Sequence, residues 1–217
     1  MKVDGVKRYG GEVILEGLTT MDRKKRAEGE AAARGLTMIP PFDDARVIAG
    51  QGTCGLEILE QVPNVAAIVV PVGGGGLLSG IAAAVKLTRP SVKVIGVEPS
   101  GAAKMSASLA AGHPVTLEKT SSIADGLMPV RPGDLTFAHT QKFVDAVLTV
   151  DDAEIAKAAL WLFHEAKQVV EPSGAATTAA VLSGAIDRIS PPSAGPVVAV
   201  VSGGNVSPAT LAGLSAS

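Results

Sequence analysis

Cysteine and aromatic side chains are scarce in this 217-residue sequence, and neither sign of charge is in marked excess. The one cysteine, Cys54, excludes an internal disulfide and fits a reducing cytoplasm. It follows "GQGT" and opens an apolar stretch, so it reads as a small core residue and not as a nucleophile. A net charge of −2 gives no general attraction for nucleic acid or an anionic membrane. The basic run Arg23-Lys24-Lys25-Arg26 is answered by Glu28 and Glu30 at i,i+4 spacing, which is the pattern of a solvated helix face. The first residues, "MKVDGVKRYGGEVI", are charged and lack the long apolar centre of a secretory signal. Val65 to Val85 is uncharged and long enough to span a bilayer. Pro71 and four glycines interrupt it, each weakening a helix, so a membrane span is not expected.

What the sequence does have is 47% hydrophobic residues, with Ala, Val, Gly and Leu dominant. That composition suits helices packed closely on a sheet. Strand-length apolar runs alternate with helix-like stretches. A surface helix near Lys2 and Lys7 precedes "EVILEG" (12–17), which reads as a strand. The helix that follows has Thr19 and Asp22 at capping-box spacing and Gly35 as its stop. "TMIP" (37–40) reads as a second short strand, "GTCGLEILEQV" as a helix. "AAIVVPV" (66–72) is apolar on both faces, as in a parallel sheet covered on both sides. A small-residue helix, "LLSGIAAAVKLTR", and a strand at 92–98 come next, and 101–145 is less regular. A strand at 146–150 leads into an amphipathic helix from Asp151 to Gln168, with Ile155, Ala159, Leu162 and Ala166 on one face. A further helix, "GAATTAAVLSGAI", precedes a last buried strand at 196–205. The expected fold is α/β: an open, mostly parallel twisted sheet with helices on both faces.

Between the strand at 66–72 and its helix stand Gly73, Gly74, Gly75 and Gly76. A strand, then glycines, then a helix start is the geometry of an anion site, because helix N-termini offer unpaired N–H groups. A ligand-free turn would need only one or two glycines, and four cost conformational entropy. Leu77-Leu78 stand where a Walker A loop has Lys-Ser/Thr, which excludes that motif. Gly74, Gly76 and Ser79 approximate a dinucleotide fingerprint, with Glu98 placed as a ribose-binding acid. A second loop, Ser202-Gly203-Gly204-Asn205, ends the last strand. Loops at the carboxyl ends of neighbouring strands converge on one ligand, so a phosphorylated heteroaromatic cofactor competes with the dinucleotide.

"FDDARVIAGQGTCGLEIL", "IVVPVGGGGLLSGIAAAVK", "VIGVEPSGA", "SIADGL", "EPSGAA" and "VVSGGNVS" occur in that order. The ordered set resembles the serine/threonine dehydratase and serine racemase family, fold-type II enzymes that use pyridoxal 5′-phosphate (PLP). The resemblance runs the length of the chain. It implies that the backbone of Gly73, Gly74, Gly75, Gly76 and Leu77 holds the PLP phosphate, and that Ser202 hydrogen-bonds the pyridine nitrogen. A hydroxyl partner leaves that nitrogen largely unprotonated, which suits α,β-elimination. Gly126 and Glu171 match positions lining the cofactor pocket. Glu98 and the Ala102 carbonyl match a cation site found in part of the family. The acidic ligand expected two residues beyond Ala102 is replaced by Lys104, whose ammonium would fill the space. Glu98 is alternatively a solvated strand-end acid.

The resemblance further implies that residues 1–45 are a remnant of the small domain and 46–217 a large PLP-binding domain lacking its first elements. The family's Ser-x-Lys-x-Arg-Gly segment, whose lysine bonds PLP, does not occur in this sequence, and neither does its Ser-Gly-Asn-His loop. PLP chemistry uses that lysine both to present the cofactor and as a base. The expectation is a C-terminal part of a threonine/serine dehydratase that does not turn over alone and carries no regulatory ACT domain. A serine or hydroxyaspartate racemase-dehydratase, or a non-catalytic phosphate-ligand-binding or partner protein derived from that family, is the alternative. An amino acid substrate, a homodimer and a cytoplasmic location belong to the same expectation. His113, His139 and His164 are scattered, without triad or metal spacing, and read as solvated surface residues.

Overall fold

The computed structural model describes residues 2–17 and 20–215. The chain divides into two compact units at Pro40–Pro41. The first contains α1 (Lys2–Arg8) and α2 (Thr20–Arg34). Charge pairs hold the polar surface of α2: Arg26 pairs with Glu30 at 2.8 Å and Glu16 at 2.9 Å, and Lys24 lies 3.9 Å from Glu28. Thr19 lies outside the described residues. Gly35 ends α2 at φ +64°, and Leu36 N–H bonds back to the Ala31 carbonyl, closing a Schellman turn. The expected strands at 12–17 and 37–40 do not form. A strand exists only through a hydrogen-bonded neighbour, and among the described residues these segments pair with no other backbone.

The second unit is built on a parallel sheet of β1 (Ala67–Pro71), β2 (Lys93–Pro99), β3 (Ala146–Val150) and β4 (Val197–Ala199), in the order β3-β2-β1-β4. All five residues of β1 are buried. Its alternate residues serve two cores. Ile68, Val70 and, just beyond the strand, Val72 face α3 (Ala45–Gln61), α4 (Gly76–Thr88), α5 (Lys104–Ala111) and α6 (Asp134–Phe143). Ala67 and Val69 face α7 (Asp152–His164), α8 (Pro172–Leu182) and α9 (Pro208–Leu214). Burying one Val or Ile contributes roughly 1.5–3 kcal/mol. A one-residue slip of β1 would exchange both sets, so its register is fixed. Val65 to Val85, long enough for a bilayer, is instead β1, a turn and α4. No helix among the described residues is long and apolar enough to cross a membrane.

Two expectations change. The strand at 196–205 shortens to Val197–Ala199 and is half-buried, because it pairs on one side only, with β1. Ala166 is exposed, since the helix ends at His164 before reaching it, while Ile155, Ala159 and Leu162 are buried as expected. Asp151 caps that helix in a capping box with Glu154. Cys54 is half-buried against the α3–α4 core, and burial together with Glu57 pushes its thiol pKa up, away from nucleophilic chemistry.

Helices α3 and α4 are held close by glycines. A Cβ on Gly80 would stand 2.3 Å from the Ile48 carbonyl oxygen and 2.6 Å from Gly52 N. Gly80→Ala would gain about 1 kcal/mol of helix propensity. Overpacking against backbone costs about 1–3 kcal/mol, and here it falls at the high end. The urea midpoint of Gly80→Ala is therefore expected to fall below that of the parent chain.

Candidate functional site

Strand β1 delivers the chain to the sheet's carboxyl edge, where Val72 N–H still bonds the Val97 carbonyl. Gly75, at φ +99°, then makes the left-handed step that starts α4, a conformation only glycine adopts without strain. Among the described residues, the N–H groups of Gly73, Gly74, Gly75, Gly76, Leu77 and Leu78 donate to no acceptor in the chain; Ser79 N–H is the first to be paired, to the Gly75 carbonyl. Six successive donors therefore gather at the positive end of a 13-residue helix. The space they enclose has no room for side chains. A Cβ on Gly74 would lie 2.3 Å from the Phe42 ring, one on Gly75 2.9 Å from Thr136, and one on Gly76 2.9 Å from Phe42. These residues fit the phosphate of a cofactor. Leu77 takes part through its N–H alone, because its side chain packs into the α3–α4 core.

The sheet order explains what faces this loop. From β1 the chain crosses to β2 on one side, whereas β4 lies on the other, so β1 and β4 flank a switch point where a ligand crevice opens. The Ser202-Gly203-Gly204-Asn205 loop leaves β4 on that same edge. Glu171 N–H bonds the Gly203 carbonyl at 3.1 Å, and Gly126 N–H bonds Ser173 Oγ at 2.8 Å. Glu171 Oε1 approaches both glycines, at 2.4 Å from where a Gly203 Cβ would sit and 3.7 Å for Gly126. The Gly126 carbonyl in turn lies 3.1 Å from the Cβ position of Gly73. Gly73, Gly126, Glu171 and the 202–205 loop thus form one continuous rim. Ser202 is exposed on it, and its hydroxyl bonds nothing among the described residues.

Glu98 is neither a ribose-facing acid nor a solvated strand-end acid. It is fully buried and accepts from Met105 N–H at 2.8 Å, Ser106 N–H at 2.9 Å and Ser106 Oγ at 2.9 Å, capping α5. Its Oε1 lies 3.2 Å from Lys104 Nζ, which is also fully buried. That ammonium donates to the carbonyls of Val72 (2.7 Å), Leu127 (3.0 Å) and Ala102 (3.1 Å). Burial pulls the Lys104 pKa down while Glu98 opposes the shift. Four surrounding acceptors keep the amine protonated, since a neutral amine would turn a lone pair toward one of them. The expected cation position between Glu98 and Ala102 does not fit a metal, because Nζ already occupies it. Among the described residues no three His, Cys, Asp or Glu side chains gather in a metal-holding group. His113 and His164 are exposed as expected; His139 is half-buried instead, with Nδ1 2.8 Å from the Leu135 carbonyl.

Sequence reasoning missed the supports of the loop. Thr136 Oγ1 donates to the Gly74 carbonyl at 2.7 Å, and Gly133 N–H reaches the same oxygen at 3.3 Å. The Asp43 carboxylate accepts from the N–H groups of Asp134, Leu135 and Thr136, capping α6 and holding Thr136 in place. Phe42 and Asp43 open the stretch "FDDARVIAGQGTCGLEIL", yet their partners are tens of residues away, so spacing carries no signal. Gly74→Ala is expected to weaken phosphate binding about tenfold or more, the consequence of a misfit of ~1–3 kcal/mol in a packed site. Adding Phe42→Ala should recover part of that loss. Titration with inorganic phosphate, followed by phosphorus NMR, measures both.

A family model described as "Pyridoxal-phosphate dependent enzyme" matches residues 1–203. The sequence is 43% identical over 211 residues to a serine racemase of Arabidopsis thaliana, covering 97% of this chain and 63% of that protein. It is 43% identical over 205 residues to an L-threonine ammonia-lyase of Thermotoga maritima, covering 94% of this chain and 50% of that protein. Among solved structures, maize serine racemase superposes with a TM-score of 0.91 at 40% identity, over 98% of this chain and 66% of that one. Threonine deaminase isoform 2 of Solanum lycopersicum gives 0.90 at 38% identity, over 99% and 59%. The chain spans about half to two thirds of the length of these relatives. With the family model covering both units and these relatives sharing its parallel sheet, the chain belongs to the pyridoxal-phosphate dependent enzymes.

Proposed function

We propose that these residues form the phosphate-holding part of an enzyme that deaminates L-threonine and L-serine to 2-oxobutanoate, pyruvate and ammonia. One observation carries the reading: unpaired N–H groups at Gly73–Leu77 share a sheet edge with the free hydroxyl of Ser202. When bound, PLP supplies an electron-withdrawing ring that acidifies the amino acid Cα. The loop's N–H groups would hold its phosphate, with Thr136 and Asp43 keeping the loop from yielding. Ser202 would meet the ring nitrogen with a hydroxyl, and a hydroxyl does not force that nitrogen to carry a proton as a carboxylate would. By leaving that nitrogen unprotonated, Ser202 would restrain the electron withdrawal and so favour loss of a β-hydroxyl. Similarity to an L-threonine ammonia-lyase supports this substrate class. Racemisation of serine is the second reading, favoured by equal identity to a serine racemase.

No lysine here stands in a Ser-x-Lys-x-Arg-Gly context. We take turnover to need a lysine from outside these 217 residues. The 217-residue chain with PLP and L-threonine is expected to release no 2-oxobutanoate, and borohydride should fix PLP to no single lysine. Joined to a segment carrying Ser-x-Lys-x-Arg-Gly and Ser-Gly-Asn-His, it should release the oxo acid. Turnover by the 217 residues alone would contradict the assignment of roles. Conversion of L-serine to its enantiomer without pyruvate, in the joined protein, would select the racemase reading.

A further inference from the structure

Lys104 and Glu98 are among the largest fully buried side chains of the molecule, and both are ionisable. An unpaired charge at such a place is strongly destabilising, so the two survive only as a pair. The geometry goes beyond pairing. Three backbone carbonyls and one carboxylate surround Nζ at 2.7–3.2 Å, an all-oxygen shell of the sort a hard metal cation would otherwise organise. The three carbonyls come from separate stretches of chain. Val72 immediately precedes Gly73, Leu127 immediately follows Gly126, and Ala102 sits between β2 and α5.

We propose that Lys104 is a covalently attached resident cation that replaces a metal ion in this protein. Its charge fills the oxygen shell, and its three N–H bonds tie the glycine loop, the Gly126 turn and the start of α5 into one piece. Glu98 is oriented for the task by Met105 N–H, which bonds the same Oε1 that faces the ammonium, and by the N–H and hydroxyl of Ser106, which bond Oε2. A tethered ammonium cannot dissociate, so the rim of the cradle is set without regard to the metal content of the surroundings. This inference rests on the shell alone and holds whichever reaction the site serves.

The test compares thermal unfolding of the chain in EDTA, magnesium and calcium, with calorimetric titration of each metal. For the parent chain we expect the same midpoint in all three and no saturable heat. An EDTA-reversible rise in its midpoint would overturn the proposal. Lys104→Ala leaves Glu98 and the three carbonyls facing a space that a cation can enter. Its midpoint should be well below that of the parent in EDTA and should rise on adding calcium. A Lys104→Ala chain as stable as the parent, or one lowered but indifferent to every added cation, would contradict a resident-cation role. Should that variant not fold, Lys104→Met/Glu98→Gln removes both charges at similar volume. It is expected to fold and, like the parent, to ignore calcium, because the carboxylate is gone; a calcium response there would also overturn the proposal.

Discussion

Everything at the site follows from β1 being buried on both faces. A strand with a core above and below it cannot shift, and its carboxyl end must hand the chain to α4 within a few residues. Side chains have no room in that handover, because Phe42 closes over Gly74 and Gly76 while Thr136 closes over Gly75. Glycine is the residue that survives there. Bare backbone then exposes N–H groups that a helix start cannot satisfy internally. The array of unpaired N–H groups is the result of packing constraints that the fold imposes before any ligand is considered.

A loop of four glycines would be floppy if left alone, since glycine carries the greatest backbone freedom to be lost. Two sets of bonds restrain it. From the α6 side, Thr136 and Gly133 bind the Gly74 carbonyl, with Asp43 capping the helix that carries Thr136. From the β2 side, the Lys104 ammonium holds the Val72 carbonyl and the Leu127 carbonyl together. Preorganisation of this kind lowers the ordering cost of binding. It also gives a reason for a buried ion pair, often no better than an apolar pair for stability, to stand beneath this glycine loop.

Legibility in the sequence tracked how local each cause was. β1, α4 and β2 were readable because apolar runs and a glycine break are properties of adjacent residues. "EVILEG" carried the same apolar signal and failed, since strandhood depends on a neighbour that the run cannot specify. The strand at 196–205 is shorter than its apolar run because sheet position, which composition does not carry, decides its burial. Gly73, Gly126 and Glu171 stand in ordered motifs, and in the fold they lie against one another and against Gly203 of the 202–205 loop. Glu98 was legible as unusual but ambiguous. Its partners Lys104, Met105 and Ser106 are close in sequence, yet burial, which only the fold supplies, turns a strand-end acid into the counter-charge of a lysine. Thr136 and Asp43 were invisible, as their bonds join segments about 90 residues apart.

By our proposal the glycine loop grips a phosphate and the rest of the rim positions the ring attached to it. Parallel titrations of the chain with PLP and with pyridoxal, which lacks the phosphate, separate the two contributions. Saturable binding of PLP, competed by inorganic phosphate, with far weaker binding of pyridoxal, is the expected result. Equal affinity for the two compounds, or PLP binding indifferent to inorganic phosphate, would contradict it.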